Sequence, residues 1–305
     1  MSAHPRRERA RTTFESLAAK KANAEPIAMV TAYDYPSAQI ADAAGVDIVL
    51  VGDSAAMTVL GYDSTIPVTV DEMLMLTAAV RRGLSAPLLV ADLPFGSYEA
   101  SDEQAVTTAQ RFVKTTGCDA VKIERGGSSV DRARAIVAAG IPVMGHVGLT
   151  PQSAAITGSY RSRGRTAEEA VAVCESALAL QAAGCFAIVF EAIPTAATDA
   201  IVPQLQVPVI GIGAGPGTDG QVLVFHDLLG IYDGHVARFV KRYAELRDPM
   251  IAAITAYADD VRARRYPQPE HGYAMAAGEA DRLGALLSGR ASRPSEAGTG
   301  RLSGC

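Results

Sequence analysis

The chain has 305 residues, enough for one large or two ordinary domains, and 49% of them are hydrophobic. Its formal net charge of −5 offers no basic surface of the kind that binds nucleic acid. The basic first residues lack the apolar segment of a secretory signal, and no apolar stretch of about 18 residues could span a membrane. The four cysteines form no Cys-x-x-Cys pair, so neither a zinc site nor a disulfide framework is indicated. We therefore expect a cytoplasmic protein with no nucleic-acid or membrane partner.

One unit recurs along the chain: a short apolar run, a polar or glycine-rich end, and an alanine-rich helical stretch. The predicted strands are residues 27–32, 48–51, 88–91, 120–123, 142–145, 187–190, 209–211 and 222–225. The predicted helices between them include residues 37–44, 70–82, 101–116, 130–139 and 167–183, with glycines 45, 83, 117, 140 and 184 just past their ends. Eight strands that alternate with helices predict an α/β fold, a (β/α)8 TIM barrel; a doubly wound open sheet is the alternative.

Two regions lie outside this repeat and define the predicted domains. Residues 1–21 form a charged N-terminal lead-in, partly helical from 13 to 20, and residues 22–273 form the catalytic barrel with its C-terminal helices. Within the latter, residues 239–265 are predicted to supply one or two amphipathic helices packed on the barrel. Residues 274–305 are predicted to be a disordered tail because the last of them are small and polar, with one short helix expected in AMAAGEADRLGALLS.

Three of the predicted strands each end in a carboxylate, namely Asp53, Asp92 and Glu124. A parallel barrel brings the C-terminal ends of its strands to one face, where barrel enzymes carry their active sites. Oxygen ligands on separate strands suit a hard cation such as Mg²⁺. The alternative is that acidic residues only mark strand-to-loop transitions. Three at equivalent places favour a metal site and metal-assisted chemistry on an oxygen-rich small molecule.

Further residues at the strand ends are candidates for catalysis. Lys122 and Glu124 are two apart on one strand and so share a face, and a lysine in an apolar run is costly to bury without an anionic partner. A snorkelling surface lysine is the alternative. Glu191 follows an apolar run and suits a general base, although it could instead accept a hydrogen bond from a loop amide. For His146, a substrate contact and a satisfied core histidine stay equally open. The sequence contains no Ser-His-Asp triad order and no Walker loop.

The motifs VGDS, GYDST, ADLPFGSY and GHVGLTPQS resemble the ketopantoate hydroxymethyltransferase family, and the resemblance extends from about Phe14 to Tyr273. It implies a (β/α)8 barrel of the phosphoenolpyruvate/pyruvate superfamily that assembles as a homodecamer. It also implies transfer of a hydroxymethyl group from the co-substrate 5,10-methylenetetrahydrofolate to the 2-oxo acid 3-methyl-2-oxobutanoate. The product would be 2-dehydropantoate (ketopantoate), an intermediate on the way to pantothenate.

Carried over residue by residue, the resemblance implies a metal site and a substrate site that overlap. Asp53, Asp92 and Glu124 correspond to the family's ligands for Mg²⁺ or another divalent cation. The 2-oxo acid contacts fall on a set that shares two of these residues, namely Asp53, Ser54, Asp92 and Lys122. A 2-oxo acid can chelate a metal ion through its keto and carboxylate oxygens, which would acidify its C3 proton.

The catalytic residues implied by the resemblance are Glu191, Lys122 and His146. Glu191 corresponds to the base that removes the C3 proton, and His146 matches the family's active-site histidine. Lys122 and the metal would stabilise the enolate as its charge develops. The enolate carbon would then attack the methylene carbon that the folate delivers.

Leu76, Arg125 and Arg163 depart from the family, because a histidine is common at the first position and neutral residues at the other two. If either arginine reaches the barrel mouth, it could pair with an anionic group of the substrate or of the folate; pointing to solvent or to another subunit is the alternative. These departures favour, as a second hypothesis, a paralogue with the same aldol-type chemistry on a different 2-oxo acid. A superfamily lyase or mutase is less favoured because its typical Lys-Lys-Cys-Gly-His-type loop is missing. The intact candidate residues argue against a non-catalytic scaffold.

Overall fold

The computed structural model describes residues 9–124, 128–153, 158, 161–232, 234 and 237–291. Its strands are β1 (Ile27–Thr31), β2 (Ile48–Val51), β3 (Leu88–Asp92), β4 (Ala120–Glu124), β5 (Val143–Gly148), β6 (Ala187–Glu191), β7 (Val209–Ile212) and β8 (Gly220–Leu223). Each strand pairs in parallel with the next, and β1 pairs with β8, with Met29 opposite Val222, so that the sheet closes. The predicted (β/α)8 TIM barrel is confirmed. The doubly wound open sheet is wrong, because such a sheet would leave two unpaired edges.

The helices of the described residues fall before, between and after these strands. They are α1 (Phe14–Ala22), α2 (Tyr35–Ala44), α3 (Ala55–Thr58), α4 (Val70–Gly83), α5 (Asp102–Thr116), α6 (Ser129–Ala138), α7 (Ala167–Ala182), α8 (Thr195–Ile201), α9 (Phe225–Leu229), α10 (Arg247–Arg262) and α11 (Glu279–Ala291). Thr13, Asp34 and Thr69 begin α1, α2 and α4 with capping boxes, because each side chain accepts a hydrogen bond from the third helical backbone N–H. Gly45 and Gly117 end α2 and α5 in the left-handed conformation, as the sequence predicted.

Gly83 corrects the prediction for α4, because it is the last residue of the helix and not the residue past its end. A Cβ atom at this position would lie 2.7 Å from the Ala38 Cβ and 2.8 Å from the Tyr35 carbonyl oxygen. The glycine therefore allows α2 and α4 to pack closely, which is a packing role and not a capping role.

The barrel interior forms a hydrophobic cluster separate from the one between the strands and the outer helices. The inner cluster takes alternate residues of the strands, for example Met29, Leu50, Val90 and Met144. Leu17 of α1 joins this inner cluster and is fully buried. Because the strands are covered on both faces, they occur in the sequence as nearly continuous apolar runs.

Ion pairs fasten α1 to the N-terminal ends of the strands. Lys20 Nζ lies 3.2 Å from a carboxylate oxygen of Asp47, and Lys21 Nζ lies 2.7 Å from one of Asp219. The same two aspartates accept backbone hydrogen bonds from β1 and β7. The lead-in helix is therefore tied to the barrel at the end opposite the strand C-termini.

The structure also corrects the prediction after β7. The last strand is Gly220–Leu223 and not residues 222–225, because the Phe225 backbone N–H donates to Thr31 Oγ1 at 2.9 Å and α9 begins at Phe225. The stretch 239–265 holds one helix, α10, and its first residues up to 246 are not helical. α10 buries none of its residues. The short helix predicted in AMAAGEADRLGALLS is present as α11.

Backbone contacts divide the chain into two compact units, Met1–Arg247 and Asp248–Cys305. The first unit contains the barrel, and the second contains α11 and nearly all of α10. The predicted domain limits at residues 21 and 273 stay predictions, and residues 292–305 of the predicted tail lie outside the described residues. None of the helices in the described part of the chain combines the length and the hydropathy that crossing a bilayer requires.

Candidate active site

The candidate residues of four strands meet at the C-terminal mouth of the barrel. Asp92 is opposite Lys122 in the β3–β4 register, and Glu124 is opposite His146 in the β4–β5 register. Glu191 is the last residue of β6. All five side chains line one cavity, as the shared face of Lys122 and Glu124 predicted. The alternation of side chains along each strand therefore brings residues from different parts of the sequence together.

A buried ion pair is at the centre of this mouth. Lys122 Nζ donates to Asp92 Oδ1, and the two side chains are only 5% and 3% exposed. The Asp53 backbone N–H donates to the second Asp92 carboxylate oxygen at 3.0 Å. Glu124 is also buried, two residues along the strand from the lysine. Lys122 thus has the anionic partner that its burial requires, and it is not a snorkelling surface lysine.

The pKa values of this cluster reflect an excess of negative charge. Burial, followed by the charges of Asp92 and Glu124, raises the pKa of Asp53 to about 8. Burial alone would lower the pKa of Lys122, but the charges of the three carboxylates raise it above its ordinary value. Three acidic groups are buried beside one ammonium group, so a bound cation would reduce the imbalance.

His146 lies between two carboxylates. Its Nδ1 is 3.5 Å from Glu124 Oε1, and its Nε2 is 3.3 Å from Glu191 Oε2. Neither contact has the alignment of a hydrogen bond, so both are ion-pair contacts. Burial lowers the pKa of His146, but its contacts with Glu124 and Glu191 outweigh burial and raise the pKa to about 9. A protonated His146 therefore links the acidic cluster to Glu191.

The backbone around Glu191 is held in an uncommon conformation. Ala192 has a φ of 50°, in the left-handed region that residues with a Cβ atom rarely adopt. Its N–H donates to the Ile212 carbonyl oxygen, and its own carbonyl oxygen accepts from the Arg163 N–H. On the β5 side, a Cβ atom at Gly148 would lie 2.2 Å from the Glu191 carbonyl oxygen, so only glycine allows this approach. The strand end that carries Glu191 is thus fixed by its neighbours.

Gln152 and Tyr98 complete the acidic cluster, although the sequence did not single them out. Gln152 Nε2 donates to Asp53 Oδ2 at 2.9 Å, and its backbone N–H donates to Glu124 Oε2 at 3.0 Å. The Tyr98 hydroxyl donates to Gln152 Oε1 at 2.7 Å. Both residues belong to quoted motifs, GHVGLTPQS and ADLPFGSY, but neither side chain carries a charge that would mark it as a site residue. Motif membership was the only signal that could have found them.

The side chain of Ser54 contacts a buried tyrosine, Tyr33. The Tyr33 hydroxyl oxygen lies 2.8 Å from Ser54 Oγ, and Ser54 lines the cavity. Burial raises the pKa of Tyr33 to about 12, so the phenol stays protonated at neutral pH. The ring centroids of Tyr33 and His226 are 5.5 Å apart. A protonated phenol can donate to Ser54 and leave the serine hydroxyl proton free for a ligand.

The cavity at the mouth has a volume of about 200 Å³. The polar side chains in its wall include all the candidate site residues, namely Asp53, Ser54, Asp92, Lys122, Glu124, His146 and Glu191. Val189, Ile212, Val222 and Phe239 add apolar surface. Phe239 comes from the stretch that was predicted to be helical and is not. A wall of this composition suits a small anion with a short apolar group.

Two of the three departures from the family, Leu76 and Arg163, fall within the described residues and do not line this cavity. Leu76 is buried in the outer hydrophobic cluster and does not line the cavity. Arg163 lines a separate cavity of about 240 Å³, together with Glu169 and Ser176. Arg125 lies outside the described residues. The two described departures therefore give no support to a changed substrate.

The three carboxylates have the donor atoms that a metal ion needs, but they are not arranged around a common point. Within the described ranges, no three His, Cys, Asp or Glu side chains form a ready-made metal-binding group. Asp53, Asp92 and Glu124 nevertheless offer only oxygen donors, which hard cations prefer, and they are buried with excess negative charge. Lys122 and Gln152 each engage one of the carboxylate oxygens, so a cation would use the remaining oxygens or displace a hydrogen bond.

Comparison with known families identifies the chain. The family described as ketopantoate hydroxymethyltransferase matches residues 11–269. The chain belongs to this family. It is an enzyme, a hydroxymethyltransferase, and the resemblance inferred from the motifs is confirmed. A non-catalytic scaffold is therefore set aside.

Relatives from bacteria and plants carry the same name. The 3-methyl-2-oxobutanoate hydroxymethyltransferase of Moorella thermoacetica is 53% identical over 266 residues, which cover 87% of this chain and 99% of that protein. That of Thermobifida fusca is 51% identical over 87% of this chain and 94% of that protein. In Arabidopsis thaliana, the relative named 3-methyl-2-oxobutanoate hydroxymethyltransferase 1, mitochondrial, is 49% identical over 91% of this chain and 82% of its own length.

Solved structures share the fold at low sequence identity. A phosphonopyruvate hydrolase superposes with a TM-score of 0.58 and 14% identity, covering 92% of this chain and 97% of that chain. A 2,3-dimethylmalate lyase, described as a PEP mutase/isocitrate lyase superfamily member, gives a TM-score of 0.52 and 16% identity over 90% and 99%. At these identities the likeness concerns the fold alone, and the shared fold is the (β/α)8 barrel that the motifs implied.

Proposed function

We propose that the chain transfers a hydroxymethyl group from 5,10-methylenetetrahydrofolate to 3-methyl-2-oxobutanoate and so produces 2-dehydropantoate, a precursor of pantothenate. The observation that supports this most is the common cavity of the buried Lys122–Asp92 pair and Glu191. It combines an anion-binding ammonium group with a more exposed carboxylate that can act as a base. The name that the relatives share supports the choice of substrate.

The 2-oxo acid would be bound by groups on both sides of the cavity. Lys122 Nζ and Ser54 Oγ are available to its carboxylate and keto oxygens. Asp53 and Asp92 are acidic, so they can approach an anionic substrate only through a shared cation or a proton. The apolar surface formed by Val189 and other residues suits the isopropyl group of the substrate.

Asp53, Asp92 and Glu124 would hold Mg²⁺ or another divalent cation. When bound, the cation supplies Lewis-acid polarisation of the keto oxygen. Support comes from the all-oxygen donor set and from the negative charge that contributes to the raised pKa of Asp53, about 8. A phosphonopyruvate hydrolase that shares the fold has been solved in complex with oxalate and Mg²⁺.

Glu191 would remove the C3 proton of the bound acid. Its side chain lines the cavity and is 16% exposed, and its Oε2 lies 3.3 Å from His146 Nε2, so a protonated imidazole can hold the carboxylate in place. The Lys122 ammonium group would neutralise the charge that develops on the keto oxygen. The methylene carbon of the folate would lose its bond to one nitrogen and form a bond to the C3 carbon. Water then replaces the second nitrogen on that carbon and supplies the hydroxyl group. The proton from C3 and one proton from water end on the two nitrogens, which leaves tetrahydrofolate.

The test is product formation with a folate labelled with ¹³C at the methylene carbon and a panel of 2-oxo acids. We expect ¹³C-labelled 2-dehydropantoate by NMR, with 3-methyl-2-oxobutanoate the best acceptor. A higher kcat/KM for another acid would favour the paralogue. Cleavage products formed without folate would favour a lyase or mutase. A chain that forms no labelled product from any acid would refute the proposed transfer.

We also propose that the enzyme is a cytoplasmic homodecamer, as the family resemblance implies. Light scattering on the purified full chain should then give ten times the 31.7 kDa of one chain. A monomer or a dimer at micromolar concentration would contradict the decamer. Fractionation of the producing cells should recover the enzyme with the soluble cytoplasmic proteins.

A further inference from the structure

The side-chain amide of Gln152 has a fixed orientation in the acidic cluster. Its Nε2 donates to Asp53 Oδ2 at 2.9 Å and to the Leu93 carbonyl oxygen at 3.1 Å. The Leu93 carbonyl oxygen can only accept a hydrogen bond, so the nitrogen must face it and the amide oxygen must face away. On that other side, Oε1 accepts from the Tyr98 hydroxyl at 2.7 Å. The amide is therefore held at both ends, and Gln152 is only 3% exposed.

The backbone of the same residue contacts a second acidic side chain. The Gln152 N–H donates to Glu124 Oε2 at 3.0 Å. Tyr98 adds to this contact, because its hydroxyl oxygen accepts from the Glu124 backbone N–H at 3.3 Å. One residue on the segment after β5 thus joins carboxylates from the ends of β2 and β4.

These contacts leave the carboxylates able to accept a cation. Gln152 engages Oδ2 of Asp53 and Oε2 of Glu124, which leaves one oxygen of each carboxylate outside the Gln152 contacts. An uncharged donor such as an amide can orient a carboxylate without neutralising its negative charge. A lysine at this position would instead compete with the metal ion for the carboxylates. Hydrogen-bond partners of this kind fix the direction of metal ligands and commonly change metal affinity when they are removed.

We propose that Gln152 is a positioning residue that holds Asp53 and Glu124 in the arrangement that binds a divalent cation, with Tyr98 orienting its amide. The proposal rests on the metal site of the proposed function and adds residues to which neither the sequence nor the relatives assign a role. It predicts that the loss of the Gln152 side chain weakens metal binding even when no substrate is present.

The test compares Gln152→Met with Gln181→Met in the full-length chain. Methionine keeps the approximate volume of glutamine and removes the hydrogen bonds of the side-chain amide without adding charge, while the backbone N–H that donates to Glu124 remains. Gln181 is a matched control because its Oε1 accepts backbone hydrogen bonds from Gln206 and Val207, and it lies in the last turns of α7, where the chain returns to the N-terminal end of β6. Mg²⁺ affinity of chelator-treated protein is measured by calorimetry, and melting temperature is measured with and without Mg²⁺.

For Gln152→Met we expect Mg²⁺ affinity to fall about 10- to 100-fold, the usual effect of losing a partner of a metal ligand. The stabilisation by Mg²⁺ should shrink in this variant alone, whereas a merely structural role would lower the melting temperature equally with and without the metal. Gln181→Met should keep the wild-type affinity. Tyr98→Phe should show a smaller loss of affinity, and it carries the test if Gln152→Met does not fold.

Two results would separate the possible failures. Wild-type Mg²⁺ binding together with a Gln152→Met affinity within about twofold of wild type would overturn the role of Gln152 and leave the proposed function intact. A wild-type chain that binds no Mg²⁺ would instead overturn the metal-dependent function, and the positioning role with it.

Discussion

Replacement of Lys122 by methionine should strongly destabilise the metal-free barrel. The lysine and Asp92 form an ion pair whose side chains are only 5% and 3% exposed, so solvent cannot replace the missing charge. Methionine fills most of the same space but leaves Asp92 without its ammonium partner. Asp53 and Glu124 are buried nearby and repel the same charge. The variant thus isolates the electrostatic contribution of one group.

The expected magnitude follows from this burial. Removing one partner of a buried ion pair costs about 3–5 kcal/mol. For a unit of this size, 1 kcal/mol corresponds to about 2–4 °C in melting temperature, so we expect a fall of roughly 6–20 °C. The pKa of Asp53, already about 8, allows this residue to take up a proton near neutral pH. Such uptake relieves part of the repulsion and favours the lower half of the range.

Circular dichroism melts in EDTA measure the effect. The control is Arg134→Met, because Arg134 pairs with Asp131 at the surface, with side chains 58% and 61% exposed. Such a pair contributes at most about 1 kcal/mol. Lys122→Met combined with Asp92→Asn should recover part of the loss, since the unpaired charge is removed as well. A single-variant melting temperature within about 3 °C of wild type would refute the reasoning, as it corresponds to about 1 kcal/mol.

Three further predictions concern the reaction. Glu191→Gln should slow exchange of the substrate C3 proton with deuterated water by at least about 10²-fold, measured by NMR, while calorimetry still detects 2-oxo acid binding; unchanged exchange would move the base elsewhere, with His146 the next candidate. Treatment with a chelator should abolish turnover and added Mg²⁺ should restore it, and full activity of the metal-free enzyme would rule out the metal role. Tyr33→Phe removes the hydroxyl group that contacts Ser54, so kcat/KM for the 2-oxo acid should fall roughly fivefold, which corresponds to about 1 kcal/mol. An unchanged kcat/KM would show that Ser54 needs no hydrogen-bond partner.

The fold could be predicted because its strands are buried on both faces. Each of the eight strands is short and apolar, and helices separate most of them, so the repeat is visible without tertiary information. The prediction was wrong at β8, where local pattern placed the strand two residues late. Gly220 begins that strand, and a Cβ atom there would lie 2.4 Å from the Ile27 carbonyl oxygen. The close approach of β1 requires this glycine, but the neighbouring sequence alone suggests a loop at Gly220.

The charged part of the candidate site was visible in the sequence for a related reason. Lys122 and Glu124 interrupt an apolar run at a spacing of two, which places both on the inner face and makes their burial conspicuous. Gln152 could not be found in this way, because an uncharged amide after a strand is ordinary loop chemistry. Its partner Asp53 is 99 residues away in sequence, and only the closed barrel brings the two together.

The two ends of the barrel differ in how their charges are balanced, and this difference argues for a bound cation. At the N-terminal end, Lys20 pairs with Asp47 and Lys21 pairs with Asp219, so each acidic group has its own basic partner. At the C-terminal end, four acidic groups share two basic ones: Lys122 pairs with Asp92, and His146 contacts Glu124 and Glu191. Asp53 has no basic partner of its own in direct contact, and its pKa is raised to about 8. Both ends are formed by the same strands, so the barrel architecture itself does not impose the imbalance. Because buried charge without a partner is costly, we expect a positively charged ligand at the mouth to stabilise the barrel there.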